Sequence, residues 1–194
     1  MAVWNTLPMS DPRLRPSEHM TEAEFLALGE SNYRQELLDG KFEVSFASTP
    51  HTEICVLLKL ALTTSARKAG FSVRMPNLRL APNWYVIPDI AVGKLHRTER
   101  WQSAANTVLV GEITSPSNAF VDRRTKKRAY AEAGIDWYLL IEPDFAAYRA
   151  VTLLLYRREG LEYLEHAIAK PGETLVADGP FRMKLSTDDL VDFA

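Results

Sequence analysis

Residues 107–114, TVLVGEIT, decide the fold. The run is apolar on both faces, which predicts a strand in the middle of a sheet. Side chains alternate along a strand, so Val108, Val110, Glu112 and Thr114 share one face, and Leu109, Gly111 and Ile113 share the other. The chain then leaves the strand at once through GEITSPSNAF, residues 111–120. Glu112 is therefore an acid inside a strand that should be buried. Burying an unpaired carboxylate costs several kcal/mol, roughly, even after relaxation. A second group near it must explain that cost.

The neighbouring stretches supply candidates. VIPDIAV, residues 86–92, sets Asp89 among apolar residues. Pro88 has no N–H for a ladder, so this point is a bulge, an edge or a strand start. If the two strands are neighbours, both carboxylates meet at one cleft. Like charges there raise each other's pKa unless a cation lies between them. Mg²⁺ or Mn²⁺ suits such a place, because hard cations prefer oxygen ligands. On residue chemistry alone, a single acid in an apolar strand is more often a capped or salt-bridged structural group than a ligand.

Further out, Thr21 and Glu24 form a capping box that predicts a short helix ending at Gly29. Asp39-Gly40 predicts a hairpin between strands 33–38 and 41–46. PHTEICVLLKLALTTSARKAG, residues 50–70, predicts a long helix with Pro50 in its first turn and Gly70 after its end. FSVRM, LRLAP and VIPDIAVG read as strands. Residues 120–133 read as a helix and DWYLLIEP as a buried strand. LLLYRREGLEYLEHAIA reads as a hairpin turning at Glu159-Gly160, and LSTDDLVDF as a short terminal helix. Residues 1–20, with three prolines and Trp4, read as a flexible arm before a single domain spanning 21–194. The expected class is α/β (α+β), a mixed central sheet flanked by helices with an added C-terminal hairpin.

The 194 residues carry 23 basic and 25 acidic side chains, a net charge of −2. That balance gives no global attraction to nucleic acid, so such a role needs a local basic patch. The lone Cys55 excludes an internal disulfide and reads as a small buried hydrophobe. No apolar run is long enough to span a bilayer, and no secretory signal is recognisable. A cytoplasmic protein is expected.

The ordered set YRQELLDG, PHTEI, VIPDIAV, VGEITSPS and DRRTKKRAYAEAGIDWYLLIEPD resembles the restriction-endonuclease family within the PD-(D/E)XK nuclease superfamily. The likeness runs from about Tyr33 to Asp144 and continues weakly through the C-terminal hairpin. It implies that Asp89 and Glu112 are metal ligands, with the backbone carbonyl of Ile113 completing that side. The superfamily's lysine would fall at position 114, where this chain has Thr114. The branch it resembles places a lysine on the next helix, and Lys126 fits. Asp122, Lys126 and Tyr130 are spaced by four and share one helix face. Glu36 matches an acid aimed at the metal in many members, and His51 a histidine at the head of the long helix. As alternatives, Glu36 pairs with Arg34 or a surface lysine, His51 caps its helix, and Tyr130 belongs to the core.

The resemblance implies a metal-dependent endonuclease that hydrolyses DNA, with Mg²⁺ or Mn²⁺ as cofactor and Asp89, Glu112, Lys126 and Glu36 as catalytic set. The run RRTKKR, residues 123–128, supplies Arg123, Arg124, Lys127 and Arg128 as candidate DNA contacts with His51, and Arg97 and Arg100 could add to them. Such a run is also an ordinary solvated helix face. Cutting both strands generally asks for two sites, so a homodimer is expected, with the C-terminal hairpin a candidate interface. No membrane and no small-molecule ligand is expected. The competing class is non-enzymatic: a weakened nuclease fold serving as a nucleic-acid-binding, regulatory or oligomerisation module, which Thr114 and the net negative charge favour. A metal hydrolase acting on RNA or nucleotides is the third possibility.

Overall fold

The computed structural model describes residues 19–29, 33–116 and 121–191, without the side chains of 121–123. The arm expected over residues 1–20, with Trp4, lies almost wholly outside them. In chain order the elements are α1 (Glu22–Ala27), β1 (Arg34–Leu38), β2 (Lys41–Ser45), α2 (Thr49–Lys68), β3 (Ser72–Arg74), β4 (Asn77–Ala81), β5 (Trp84–Val86), β6 (Ile90–Gly93), β7 (Trp101–Ser103) and β8 (Thr107–Ile113). There follow a π-helical segment (Val121–Lys126), α3 (Lys127–Glu132), β9 (Trp137–Pro143), β10 (Val151–Glu159), β11 (Glu162–Ala169), β12 (Thr174–Ala177), β13 (Met183–Ser186) and a 3₁₀ turn (Asp188–Leu190).

The strands form a six-stranded sheet in the order β11-β10-β9-β8-β6-β3, a five-stranded sheet in the order β2-β1-β5-β4-β7, and the pair β12-β13. This is a mixed α+β architecture, and both larger sheets hold parallel and antiparallel pairs. β8 sits inside the six-stranded sheet, parallel to β9 and antiparallel to β6. Its odd-numbered residues Leu109 and Ile113 join Ile54, Leu58 and Leu62 of α2 in one core cluster. Val110 faces the other way, into a cluster that mixes both sheets and α3: Leu38, Leu78, Val86, Ala91, Tyr130 and Tyr138. Val108 departs from the expected alternation and packs with the first cluster, beside the register shift between Val92 and Gly93.

Local chemistry explains most ends. Thr21 caps α1 in a reciprocal box, its amide donating to Glu24 at 2.8 Å. Ser48 caps α2, with Pro50 in the first turn. Asp39 and Gly40 both take positive φ, 55° and 77°, as a two-residue hairpin turn requires.

Three expectations are corrected. VIPDIAVG is two strands: β5 belongs to the five-stranded sheet and β6 to the six-stranded one. The chain crosses between them at Ile87-Pro88-Asp89, where Pro88 has no donor to give to either ladder. The helix expected over 120–133 is a π segment followed by one short α-helix, residue 120 lying outside the described residues. The hairpin expected over Glu159-Gly160 is present as β10–β11 and forms the edge of the main sheet, while β12–β13 is a second hairpin that the sequence reading missed. LSTDDLVDF holds the end of β13 and a single 3₁₀ turn.

The β6–β8 approach is tight enough to test. A Cβ added at Gly93 would lie 2.0 Å from the Asn106 carbonyl oxygen and 2.9 Å from Thr107 Cα. Both neighbours are backbone, so relief requires the strands to part. Gly93→Ala is expected to lower stability by about 2 kcal/mol in urea denaturation; a variant as stable as the parent would show that the approach yields freely.

Candidate active site

The β6–β8 ladder pairs Ile90 with Gly111. Asp89 is the residue before β6 and Glu112 follows Gly111 on β8, so both acids lie at one end of this pair of strands. The contacts agree: Asp89 Oδ2 accepts the Ile113 amide at 2.8 Å. Both acids are buried. β1 faces them across the seam between the sheets, and its alternation turns Arg34 and Glu36 inward together.

Each acid has cationic or hydrogen-bonding company. Asp89 Oδ1 meets Arg34 Nη1 at 2.5 Å and His51 Nε2 at 2.9 Å. Glu112 Oε1 accepts the Tyr130 hydroxyl at 2.5 Å and lies 3.4 Å from Lys126 Nζ. Glu36 Oε1 lies 2.8 Å from the same ammonium and accepts the Ile87 amide at 2.6 Å. Arg34 Nη2 donates to the Ile87 carbonyl. The backbone that crosses between the sheets is thus held by the same residues that form the site. Cys55 is buried as expected and donates its thiol to the Asp89 carbonyl at 3.2 Å. Burial, then the Asp89 charge, push that thiol up to about 12, so it stays protonated.

The electrostatics follow from these contacts. Burial alone would raise the Asp89 carboxyl. The His51 hydrogen bond, the Arg34 charge and the Ile113 amide outweigh it and hold the group well below the usual carboxylate range. Burial, with the charges of Glu112 and Glu36 and the hydrogen bond to Glu112, keeps Tyr130 a neutral phenol well above its ordinary value. Burial pulls Arg34 down, but the carboxylates of Asp89, Glu112 and Glu36 more than offset it, so the guanidinium stays charged.

These groups open onto a cavity of about 290 Å³. Arg34, His51, Asp89, Glu112, Ser115 and Lys126 are among its lining residues. Glu36 does not line it. A larger, shallower space elsewhere carries none of this set.

The predicted residues therefore divide. Asp89, Glu112, Lys126, His51 and Glu36 come together. Lys126 is buried, reaching from the end of the π segment to both glutamates. Lys127 turns away, as the 100° step implied: its ammonium lies 3.2 Å from the centroid of the Tyr156 ring. Arg128 is exposed and pairs with Glu132 at 2.7 Å. Arg124 is exposed, and the side chains of Arg123 and Asp122 lie outside the described residues. Arg100 is tied to the Gly29 carbonyl at 2.7 Å, beside a separate depression that Phe25 and Trp101 line. Thr114 is buried, its amide bonded to Ile141, so the position of the superfamily's lysine is structural here. Two site residues were missed. Arg34 was read only as a possible partner of Glu36, although the same two-residue spacing put both on one face. Tyr130 was left to the core, although it shares a helix face with Lys126.

Among the described residues, no group of three or more His, Cys, Asp or Glu side chains converges as a ready-made metal cage. The donors still fit a magnesium-like ion. Asp89 and Glu112 offer hard carboxylate oxygens, and Mg²⁺ is usually held by one or two carboxylates plus waters and substrate phosphates. Glu36, engaged by Lys126 and the Ile87 amide, serves the ammonium instead.

Buried paired acids at the seam of a mixed two-sheet body define a restriction-endonuclease-like nuclease fold. The chain belongs to the family described as "Putative restriction endonuclease" (Uma2), which matches it over residues 22–188. It is also similar in structure to a protein from Anabaena variabilis ATCC 29413 described as a "putative nuclease belonging to DUF820", with a TM-score of 0.69 and 21% identity, over 89% of this chain and 97% of that one. No curated protein matches the chain. No helix among the described residues is long and apolar enough to cross a membrane.

Two outcomes follow from the charge network. Lys126→Ala leaves Glu36 and Glu112 buried without their shared cation, and is expected to lower stability by about 3–5 kcal/mol in denaturant titration; a loss near zero would show that the ammonium is not what balances them. The Asp89 carboxyl is depressed in the fold from an ordinary 3.8. Its contribution is therefore complete above that value and is lost as pH falls below it. Asp89→Asn lacks this term, so its stability deficit should shrink between pH 7 and about pH 3. A deficit that widens in acid would reverse the assignment.

Proposed function

We propose that the protein is a metal-dependent endonuclease that hydrolyses DNA phosphodiester bonds. One observation carries the reading: Asp89, just before β6, and Glu112, on the adjacent strand β8, line one cavity together with a buried lysine. Asp89, Glu112 and the Ile113 carbonyl would hold Mg²⁺ or Mn²⁺. When bound, such an ion polarises the phosphate and lowers the pKa of the attacking water.

The chain's own groups have separate tasks. Lys126, steadied by Glu36, presents an ammonium where it can orient the attacking water or meet charge growing on the phosphate. Tyr130, kept protonated, fixes Glu112 through its hydroxyl. His51 fixes Asp89 from the first turn of α2. Arg124 and Arg128, exposed beside the site helix, would contact phosphates, with Arg123 from the same run. Lys127 contributes less, because its ammonium is engaged with Tyr156. Cleavage of both strands calls for two such sites, so the working form is a homodimer.

The second reading, a nuclease-fold module without turnover, is favoured by two features. The carboxylates of Asp89 and Glu112 already have protein partners, and Thr114 replaces the motif lysine.

Conversion of supercoiled plasmid to nicked or linear DNA separates the two. Cleavage in Mg²⁺ or Mn²⁺, abolished by EDTA and reduced on the order of a hundredfold by Glu112→Gln, is expected. Asp89→Asn is a better control than Asp89→Ala, which would strip Arg34, His51 and the Ile113 amide of their acceptor at once. A folded protein that binds DNA and never cuts it would establish the second reading. DNA affinity should fall steeply with salt as neutralised phosphates release counterions, and a flat salt titration would remove the basic run from the interface.

A further inference from the structure

Arg34 is the charged group at this site to which the proposed reaction gives no task. It stands at the cavity wall, with its side chain 26% exposed against 2% for its partner Asp89. Its Nη1 meets Asp89 Oδ1, which His51 also contacts, while Oδ2 is taken by the Ile113 amide. Its positive charge is felt by Asp89, Glu112 and Glu36 together. The guanidinium therefore occupies, electrostatically, the place a divalent ion would take.

Its seat is also incomplete. Arg34 Nε is buried with no hydrogen-bond partner. Leaving a buried donor unmade is unfavourable, so the side chain is held by two of its nitrogens and loses something by staying. His51, by contrast, is anchored in the first turn of α2 and nearly fully buried, and its imidazole can keep Asp89 oriented when the guanidinium leaves.

We propose that Arg34 is the internal counter-ion of the metal site: its guanidinium holds Asp89 Oδ1 until a divalent ion displaces it, so that metal uptake and Arg34 release are one exchange. The inference rests on the metal reading above. It makes ion binding weaker than the bare donors would give, because an ion must break an existing pair before it forms its own bonds.

Calorimetric titration of the full chain with Mn²⁺, without DNA, tests it. Arg34→Met removes the competing charge and should bind Mn²⁺ about tenfold tighter than the parent, while melting lower in the metal-free state and gaining more from saturating Mn²⁺. Arg34→Gln, which can still donate to the Ile87 carbonyl, is the second uncharged variant should Arg34→Met fold poorly. Arg34→Lys keeps the charge and should bind near the parental affinity. Asp89→Asn should abolish uptake. If the parent binds Mn²⁺ through Asp89 and neither uncharged variant binds tighter, Arg34 is only a prop and the inference is overturned while the metal site stands. If no variant takes up Mn²⁺ through Asp89, the metal reading fails and takes the inference with it.

Discussion

Three carboxylates, Glu36, Asp89 and Glu112, are buried in the seam between two sheets, and the fold persists because Arg34 and Lys126 are buried or half-buried beside them. Removing one partner of such a cluster is far more damaging than replacing the whole cluster by apolar groups. The charges are therefore mutually obligatory. They also close a backbone account. Where the chain leaves β5 for β6, Glu36 takes the Ile87 amide, Arg34 takes the Ile87 carbonyl, and Asp89 itself takes the Ile113 amide. The crossing between sheets and the candidate site are one construction.

That construction accounts for the polar backbone groups of so irregular a stretch as VIPDIAV. A proline at the crossing removes a donor that neither sheet could satisfy, and the neighbouring polar groups are met by side chains. On the far face of β8, α2 packs Ile54, Leu58 and Leu62 against Leu109 and Ile113. The strand carrying Glu112 is thus fixed from behind by apolar packing and from the front by charge. Such fixed placement suits the function proposed above, which needs an ion and a phosphate held in register.

Much of this was legible in the sequence, for identifiable reasons. A strand's period of two put Glu112 and Val110 on one face, and the isolation of Asp89 among apolar residues marked it out. The spacing of four aligned Lys126 with Tyr130. Capping residues set both early helices. What was not legible depended on partners distant in sequence. Nothing local shows that VIPDIAV changes sheets, because the change is made by pairing with β1 on one side and β8 on the other. The role of Arg34 was hidden for the same reason: its partner is 55 residues away. The short strands β7, β12 and β13 carry little periodic signal, and the π segment differs from an α-helix only in hydrogen bonding set by its surroundings.

The family places the chain among restriction-endonuclease-like proteins, and the geometry gives that placement a chemical centre. The most direct test of that centre is a crystal soaked in Mn²⁺ and measured at a wavelength where manganese scatters anomalously. The account predicts an anomalous peak within about 2.5 Å of carboxylate oxygens of both Asp89 and Glu112, with the Arg34 guanidinium moved off Asp89. Full occupancy of Arg34 on Asp89 at high Mn²⁺, with no peak between the two acids, would contradict it.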